Sequence, residues 1–265
     1  YYPKDVPSAG YRGQWHLKNT IEAGVDINVE GAWADGWTGA GVSMANIDDG
    51  LQTGHEDLFP NYVSANSYDF ASGDAIPNPV TTAENHGTAT AGIMAARGGN
   101  SLGVTGVSPE GALSSIRVGF SATNIATQLA DALLFKSSGA DTSIKIKNQS
   151  YGTSSPFLDY SALSTAITTS AAAGTIHVQS AGNYRGTIGE DSNKHSDRAN
   201  PAEIVVAALG NNGVFADYSN FGSNLMCTVP SSPTAGSSIG ILTTDRSGSL
   251  GYNGFPNQSY THTFG

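Results

Sequence analysis

An acid pair, Asp48-Asp49, closes an apolar run and is followed by Gly50; further along, His86 opens the small-residue run Gly87-Thr88-Ala89-Thr90-Ala91-Gly92. A carboxylate at the rigid end of a strand can hold an imidazole in one tautomer and stabilise the imidazolium that forms when the ring takes a proton. Gly50 lets the chain turn away sharply. Asp48 is the candidate carboxylate and Asp49 its rival within the pair. Alone, such an acid is as readily an Asx-turn or a helix cap, and a lone histidine a structural hydrogen-bonding group. Taken together, they are two members of an acyl-transfer site. Asn183, in Val178-Gln179-Ser180-Ala181-Gly182-Asn183, adds a side-chain amide that could donate to a developing oxyanion. No serine stands in a setting that suits the nucleophile. Ser259, in Asn257-Gln258-Ser259-Tyr260-Thr261, does not.

Those residues need a scaffold. Apolar runs over 42–48, 115–118, 144–150, 175–180 and 203–209 read as buried parallel strands. Helical spacing over 86–96, 126–135 and 160–173 alternates with them. Alternation of this kind predicts a doubly wound α/β fold, a mostly parallel sheet with helices on both faces. Its site is expected beyond the carboxyl ends of the strands, where Asp48, Ser150 and Ser180 all fall. Gly, Ser, Asn and Pro mark loops over 71–79, 97–103, 184–201 and 230–240, none of them a domain linker. Residues 245–265 read as an extended or irregular tail.

Composition removes several function classes. The chain has 265 residues, 38% of them apolar and only 13% charged, with 33 glycines, which suits a loop-rich globular domain. A net charge of −10 and no basic stripe argue against nucleic acid as a partner. No apolar run is long enough for a membrane span. Zinc-hydrolase spacing is missing: there is no His-Glu-x-x-His and no Cys/His cluster. The single cysteine, Cys227, sits in Leu225-Met226-Cys227-Thr228-Val229 and is expected to be a buried packing thiol. Few Cys and Lys, with many Ser, Thr, Asn and Gly, lean towards a secreted protein from which a leader has been removed.

Seven segments in order resemble the subtilisin-like serine proteases, and among them the kexin-like branch. They are Gln14-Trp15-His16-Leu17, the aspartate block from Gly39 through Asp48-Asp49-Gly50 to His55-Glu56-Asp57-Leu58, and the histidine block His86-Gly87-Thr88 with Ala91-Gly92. Then come Gly103-Val104-Thr105-Gly106-Val107-Ser108-Pro109, Asn148-Gln149-Ser150-Tyr151-Gly152, Ser180-Ala181-Gly182-Asn183 and Ala216-Asp217-Tyr218-Ser219-Asn220-Phe221-Gly222. Aspartate before histidine is the subtilisin order. The resemblance implies an Asp-His-Ser endopeptidase acting on a peptide or protein, secreted after loss of a leader and propeptide. Asp48 would orient His86, His86 would be general base and then acid, and Asn183 the oxyanion donor. Ser150, Tyr151, Gly152 and Ser180, Ala181, Gly182 would flank the substrate backbone and shape the slot for the residue before the cut. It also implies structural Ca²⁺ at Asp57 and Asn100, with a further ligand near Ser8 or Asp5.

Two departures qualify the resemblance. The family's nucleophile lies in Gly-Thr-Ser-x-x-x-Pro at the head of a central helix, and this sequence has no such motif. Residues 251–265 look like the approach to it. The expectation is therefore a single catalytic domain over residues 1–265, truncated just before that motif and lacking the nucleophile-bearing helix. The chain alone would then be inactive, with the Ser-bearing C-terminal fragment or a propeptide as a further partner. Kexin-like members also carry an acidic pair shortly after the Ser150–Gly152 segment, where this chain has Thr153-Ser154-Ser155-Pro156. Glu190 and Asp191 are the substitutes expected to select Arg or Lys before the cut. The alternative is a catalytically dead peptide-binding or scaffold module, which would have no need of Asp48, His86 and Asn183 together. A nucleotide-binding domain fails because Gly36, Gly39 and Gly41 precede their strand, and phosphate cradles follow one.

Overall fold

The computed structural model describes residues 13–22, 24–253 and 258–265. Seven strands pair in parallel: β1 (Ser43–Asp48), β2 (Tyr68–Asp69), β3 (Ala112–Arg117), β4 (Ile146–Gln149), β5 (Ile176–Ser180), β6 (Glu203–Leu209) and β7 (Leu225–Pro230). Their order is β2-β3-β1-β4-β5-β6-β7. The chain thus starts in the middle, builds one side, then crosses to the other. The reversal falls between β1 and β4, and such a switch point opens a crevice at the strand carboxyl ends.

Strand parity decides which side chains meet. On one face Ala45 and Ile47 pack against Leu129 and Leu133 of α3 (Ile125–Leu134) and Ile167 of α4 (Ser161–Ala172). On the other, Met44 packs with Ala91 and Ala95 of α2 (His86–Ala95). Helices on both faces make this the doubly wound α/β fold expected. Residues 44, 46 and 48 share the α2 face because strand side chains alternate. Further along that face Asn148, Val178, Val206 and Ala208 floor an open cleft of about 320 Å³. A short helix α1 (Val29–Ala34) precedes the sheet.

Helix α2 is enclosed nearly all round: Gly87 to Gly92 and Ala95 are buried. One wall is a two-stranded antiparallel ribbon of β8 (Ile241–Thr244) and β9 (Tyr260–Phe264). Thr243 and Thr244 hydroxyls donate to the Ala89 and Thr88 carbonyls, each at 2.7 Å. A Cβ at Gly92 would lie 2.2 Å from Thr244 Oγ1, so only glycine lets ribbon and helix approach this closely.

The expectation of an extended or irregular tail over 245–265 is refined by this ribbon, because its extended part, Tyr260–Phe264, is a paired strand. Its strands are held by threonine hydroxyls and a buried Tyr260, a pattern that hydrophobic periodicity does not register. Residues 254–257 lie outside the described part. Cys227 is a correction: it is exposed. It lies on β7, an outer strand of the sheet, where Met226 is 68% exposed and only the ends are partly covered. An apolar run on an edge strand looks in sequence like one in the core.

Candidate active site

Asp48 ends β1 and is 2% exposed. His86 begins α2 on the same face, and its Nδ1 lies 2.9 Å from both carboxylate oxygens of Asp48. A carboxylate only accepts, so in the neutral ring Nδ1 carries the proton and Nε2 keeps its lone pair. Asp48 is further held by the Asp49 backbone N–H at 2.8 Å and lies 3.2 Å from the Thr90 hydroxyl. Asn46, one turn of the pleat earlier, donates to the Gly87 carbonyl at 3.0 Å and to Thr90 Oγ1 at 2.8 Å. Asn148 of β4 donates to Asn46 Oδ1 and to Ser150 Oγ, at 2.8 and 2.9 Å. One polar chain therefore ties β1, β4 and α2 together under the imidazole. Asn46 was the signal missed in sequence, a polar residue inside an apolar strand.

Asp49 has a different job. Its two carboxylate oxygens accept from the first backbone N–H groups of α2, His86 at 3.1 Å and Gly87 at 2.7 Å. The helix's own N-cap, Asn85, makes no such bond. A carboxylate against a helix N-terminus satisfies orphan donors and suits the dipole. A Cβ at Gly87 would lie 2.1 Å from the Gly50 carbonyl oxygen. The His-Gly pair is thus a steric requirement of bringing the helix end onto the acid turn. Arg117 braces that turn from behind, donating to the Asp49 carbonyl and pairing with Asp69 and Glu84.

Burial alone would lower the His86 pKa, but the charge and hydrogen bond of Asp48 outweigh it and hold the ring raised to about 8. For Asp49, burial and then the Asp48 charge push the carboxyl up to about 6. The consequence for His86 has a definite sign. Its folded pKa lies above its ordinary 6.5, so its contribution to stability is present below pH 6.5 and lost as pH rises through about 8. Proton abstraction by Nε2 runs the other way, appearing as pH rises through about 8.

Asn183 follows β5 and is exposed. Asn220 holds its turn: its N–H donates to the Gly182 carbonyl at 2.9 Å, and its Oδ1 accepts from Tyr184 N at 2.7 Å. Gly182 has φ +108°, and a Cβ there would lie 2.8 Å from Asn220 Nδ2. His86, Ser150 and Asn183 border one cleft of about 600 Å³, which Phe264 and Gly265 also line. The Phe264 ring lies 5.3 Å from the His86 ring. A smaller cleft of about 150 Å³ adjoins it, bordered by His86, Gly152, Ser180, Gly182, Asn183 and Arg198. Tyr151 lines this cleft as well, whereas Ala181 is buried and lines the cleft of about 320 Å³ instead.

Other sequence candidates stand elsewhere. Glu190 accepts from Gly186 N at 2.9 Å, and Asp191 from the Asn193 backbone and amide at 3.0 and 2.8 Å. Both carboxylates are satisfied within their own loop, and neither lines the clefts beside His86. Ser259 pairs with Ser247 instead of His86. Asp57 is fully buried, accepting from Asn100 Nδ2 at 2.7 Å and from Val104 N at 2.8 Å. Burial raises its pKa to about 6, and no ion pair among the described residues includes it. A buried carboxylate without a cationic partner fits an oxygen-seeking cation; Asn100 Oδ1, which accepts from Leu102 N at 3.0 Å, would have to turn to join it. No group of three or more His, Cys, Asp or Glu side chains among the described residues could hold a metal. Remaining ligands would have to be amide and backbone oxygens. Ser8 and Asp5 lie outside the described residues.

The sequence matches the Subtilase family over residues 39–251. It is 30% identical to an Aeromonas extracellular serine protease from Aeromonas sobria, across 91% of this chain and 44% of that protein. It is 41% identical to Kexin of Saccharomyces cerevisiae over 108 residues, 41% of this chain and 13% of that one. A crystal structure of the Aeromonas sobria serine protease in complex with the chaperone ORF2 superposes with a TM-score of 0.82 and 27% identity, covering 95% of this chain and 50% of that one. The chain thus spans half or less of the length of these relatives.

Proposed function

Because the chain belongs to the subtilase family, with a kexin-like look, we propose that it forms the Asp-His part of the catalytic domain of a secreted serine endopeptidase. The observation that carries this reading is the His86 imidazole held by Asp48 at 2.9 Å, with Nε2 left for a cleft that Asn183 also lines. The nucleophile is a serine on a segment outside residues 1–265. The Val178, Val206 and Ala208 floor offers a helix bearing it an apolar seat. Within the cleft, His86 Nε2 takes the serine proton as Oγ attacks the substrate carbonyl. Asp48 keeps the tautomer and offsets the imidazolium charge. Asn183 donates its amide to the oxyanion of the tetrahedral intermediate. Its collapse breaks the C–N bond, and His86 hands the proton to the leaving amine. Water, activated the same way, releases the acyl group and restores the serine. Residues 150–152 and 180–182 flank the peptide as strand edges, which gives sequence-tolerant affinity.

A fluorophosphonate probe tests this on the full-length protein. The expected result is one covalent adduct per chain, on a serine outside residues 1–265, with loss of peptide hydrolysis. A protein that binds peptides but takes no label and cleaves nothing is a scaffold module, and the peptidase reading fails.

Calcium is part of the same proposal, held by Asp57 and Asn100, where it would neutralise the buried carboxylate and tie residues 98–104 to the sheet. An ion at 100 times its Kd adds about 2.7 kcal/mol to stability. At about 2–4 °C per kcal/mol for a domain of this size, chelation should lower the Tm by roughly 5–10 °C. Asp57→Asn should remove that calcium dependence. Equal Tm values with calcium and with chelator would sink the assignment.

A further inference from the structure

The chain enters α2 from a mostly exposed segment without regular structure, residues 75–85, which runs directly into His86. Segments of this kind are ordinarily mobile, and movement here would pass straight to the imidazole. This one is tied down at its last turn by a carboxylate and two guanidinium groups. Glu84 Oε2 accepts from Val80 N and Thr81 N, at 2.5 and 3.0 Å. Its other oxygen, Oε1, accepts from Arg117 Nη2 at 2.5 Å. Arg246, just past β8, donates from Nη1 to the Thr81 and Glu84 carbonyls, at 2.5 and 3.1 Å. Both arginines are buried, whereas Val80 between them and solvent is 65% exposed.

Arg117 reaches both sides of the Asp48–His86 pair through their neighbours. It is the register partner of Asp48 on the adjoining strand β3. Its Nε donates to the Asp49 carbonyl at 3.2 Å and its Nη1 to Asp69 at 2.8 Å, while Nη2 holds Glu84. One planar fork thus touches the residue after Asp48 and the residue two before His86, a span that suits the fixed donor geometry of a guanidinium. Burial works against the Glu84 charge, but the bond from Arg117 outweighs it and holds the carboxyl below its ordinary value. Glu84 and Arg117 line neither cleft beside His86. Any effect they have on a substrate therefore passes through His86.

We propose that Glu84 is a positioning residue for the hydrolysis: through Arg117 it pins the backbone entering α2 and so keeps the His86 ring against Asp48. The proposal rests on the peptidase reading. Asp49 holds the first N–H groups of α2 from the sheet side, and Glu84 with the two arginines holds the chain just before them. With only the Asp49 contact left, the helix end is free to pivot and carry Nε2 away from the nucleophile. A displacement of about 1 Å at such a group can cost roughly 10²-fold in rate.

The test is Glu84→Gln in the full-length protein, with active sites counted by fluorophosphonate labelling to completion. Glutamine fills the same space but offers one acceptor oxygen, so either the turn N–H groups or Arg117 lose theirs. Asp69 still faces Arg117, so the guanidinium keeps a counter-charge and the fold should hold. Per labelled site, kcat should fall roughly ten- to a hundredfold, with KM changed by less than about twofold. The same substitution should cost far less in an Arg117→Lys background, where one ammonium cannot span the three acceptors. If that background fails to fold, the kcat and KM of Glu84→Gln decide alone. A merely structural role would lower the Tm and leave kcat per labelled site at the parental value, and that result overturns the proposal. A loss confined to KM, or additive losses in the double variant, overturns it too. All three leave the peptidase reading intact. A parent protein that takes no label and cleaves no peptide overturns both.

Discussion

Replacing His86 by alanine is expected to lower kcat about 10⁶-fold, a magnitude known from the corresponding change in subtilisin, a member of this family. No other group in the described residues can take over. His55 Nε2 is bonded to the Ser259 carbonyl and His195 Nε2 to the Gly189 carbonyl. His16 and His177 are buried, and burial lowers their pKa to about 3 and about 4. None of these four, nor His262, lines the clefts beside Asn183. The fold should survive, because the His86 side chain is 37% exposed and α2 is held mainly by Asp49 and the β8 threonines. Initial rates on a peptide substrate, paired with thermal melts, check both halves. A variant that melts like the parent and keeps more than a few per cent of its activity would remove His86 from the mechanism.

Much of this arrangement was legible in the sequence, for identifiable reasons. Buried parallel strands are continuous apolar runs, so β6 was placed to the residue and β1 to within one. Strand ends were legible too, which put Asp48, Ser150 and Ser180 on one edge. The choice between Asp48 and Asp49 was not settled by their spacing, because two adjacent acids at a strand end look alike. Parity settles it: Met44, Asn46 and Asp48 share the α2 face, whereas Asp49 lies beyond the strand and reaches the helix backbone. Arg198 and Asn220 were illegible because their partners lie 18 to 47 residues away for the first and 31 to 38 for the second. Glu190 and Asp191 differ in the opposite way: their carboxylates accept from partners two to four residues away, a local turn chemistry that charge and composition do not reveal.

Asp48→Asn carries the second large expected effect, a fall in kcat of about 10⁴-fold, as for the equivalent change in a triad of another fold. An asparagine fills the same space but can present its amide N–H to Nδ1, which favours the tautomer with the proton on Nε2. That tautomer cannot take a proton from a serine. The charge is lost as well, and it is the Asp48 charge that lifts His86 against the pull of burial. The limb of kcat/KM against pH, expected near 8 in the parent, should therefore move down in the variant, so that the residual activity no longer rises between pH 7 and 9. Asp49→Asn separates the roles of the two acids. It keeps one acceptor for the two N–H groups of α2, and losing a helix cap costs about 0.5–2 kcal/mol. That variant should melt earlier and still hydrolyse peptide within about tenfold of the parent, since Asp49 touches the His86 backbone and leaves its ring to Asp48. If Asp49→Asn lost as much activity as Asp48→Asn at a temperature where both are folded, the division of labour between a carboxylate that serves the ring and one that serves the helix would be wrong.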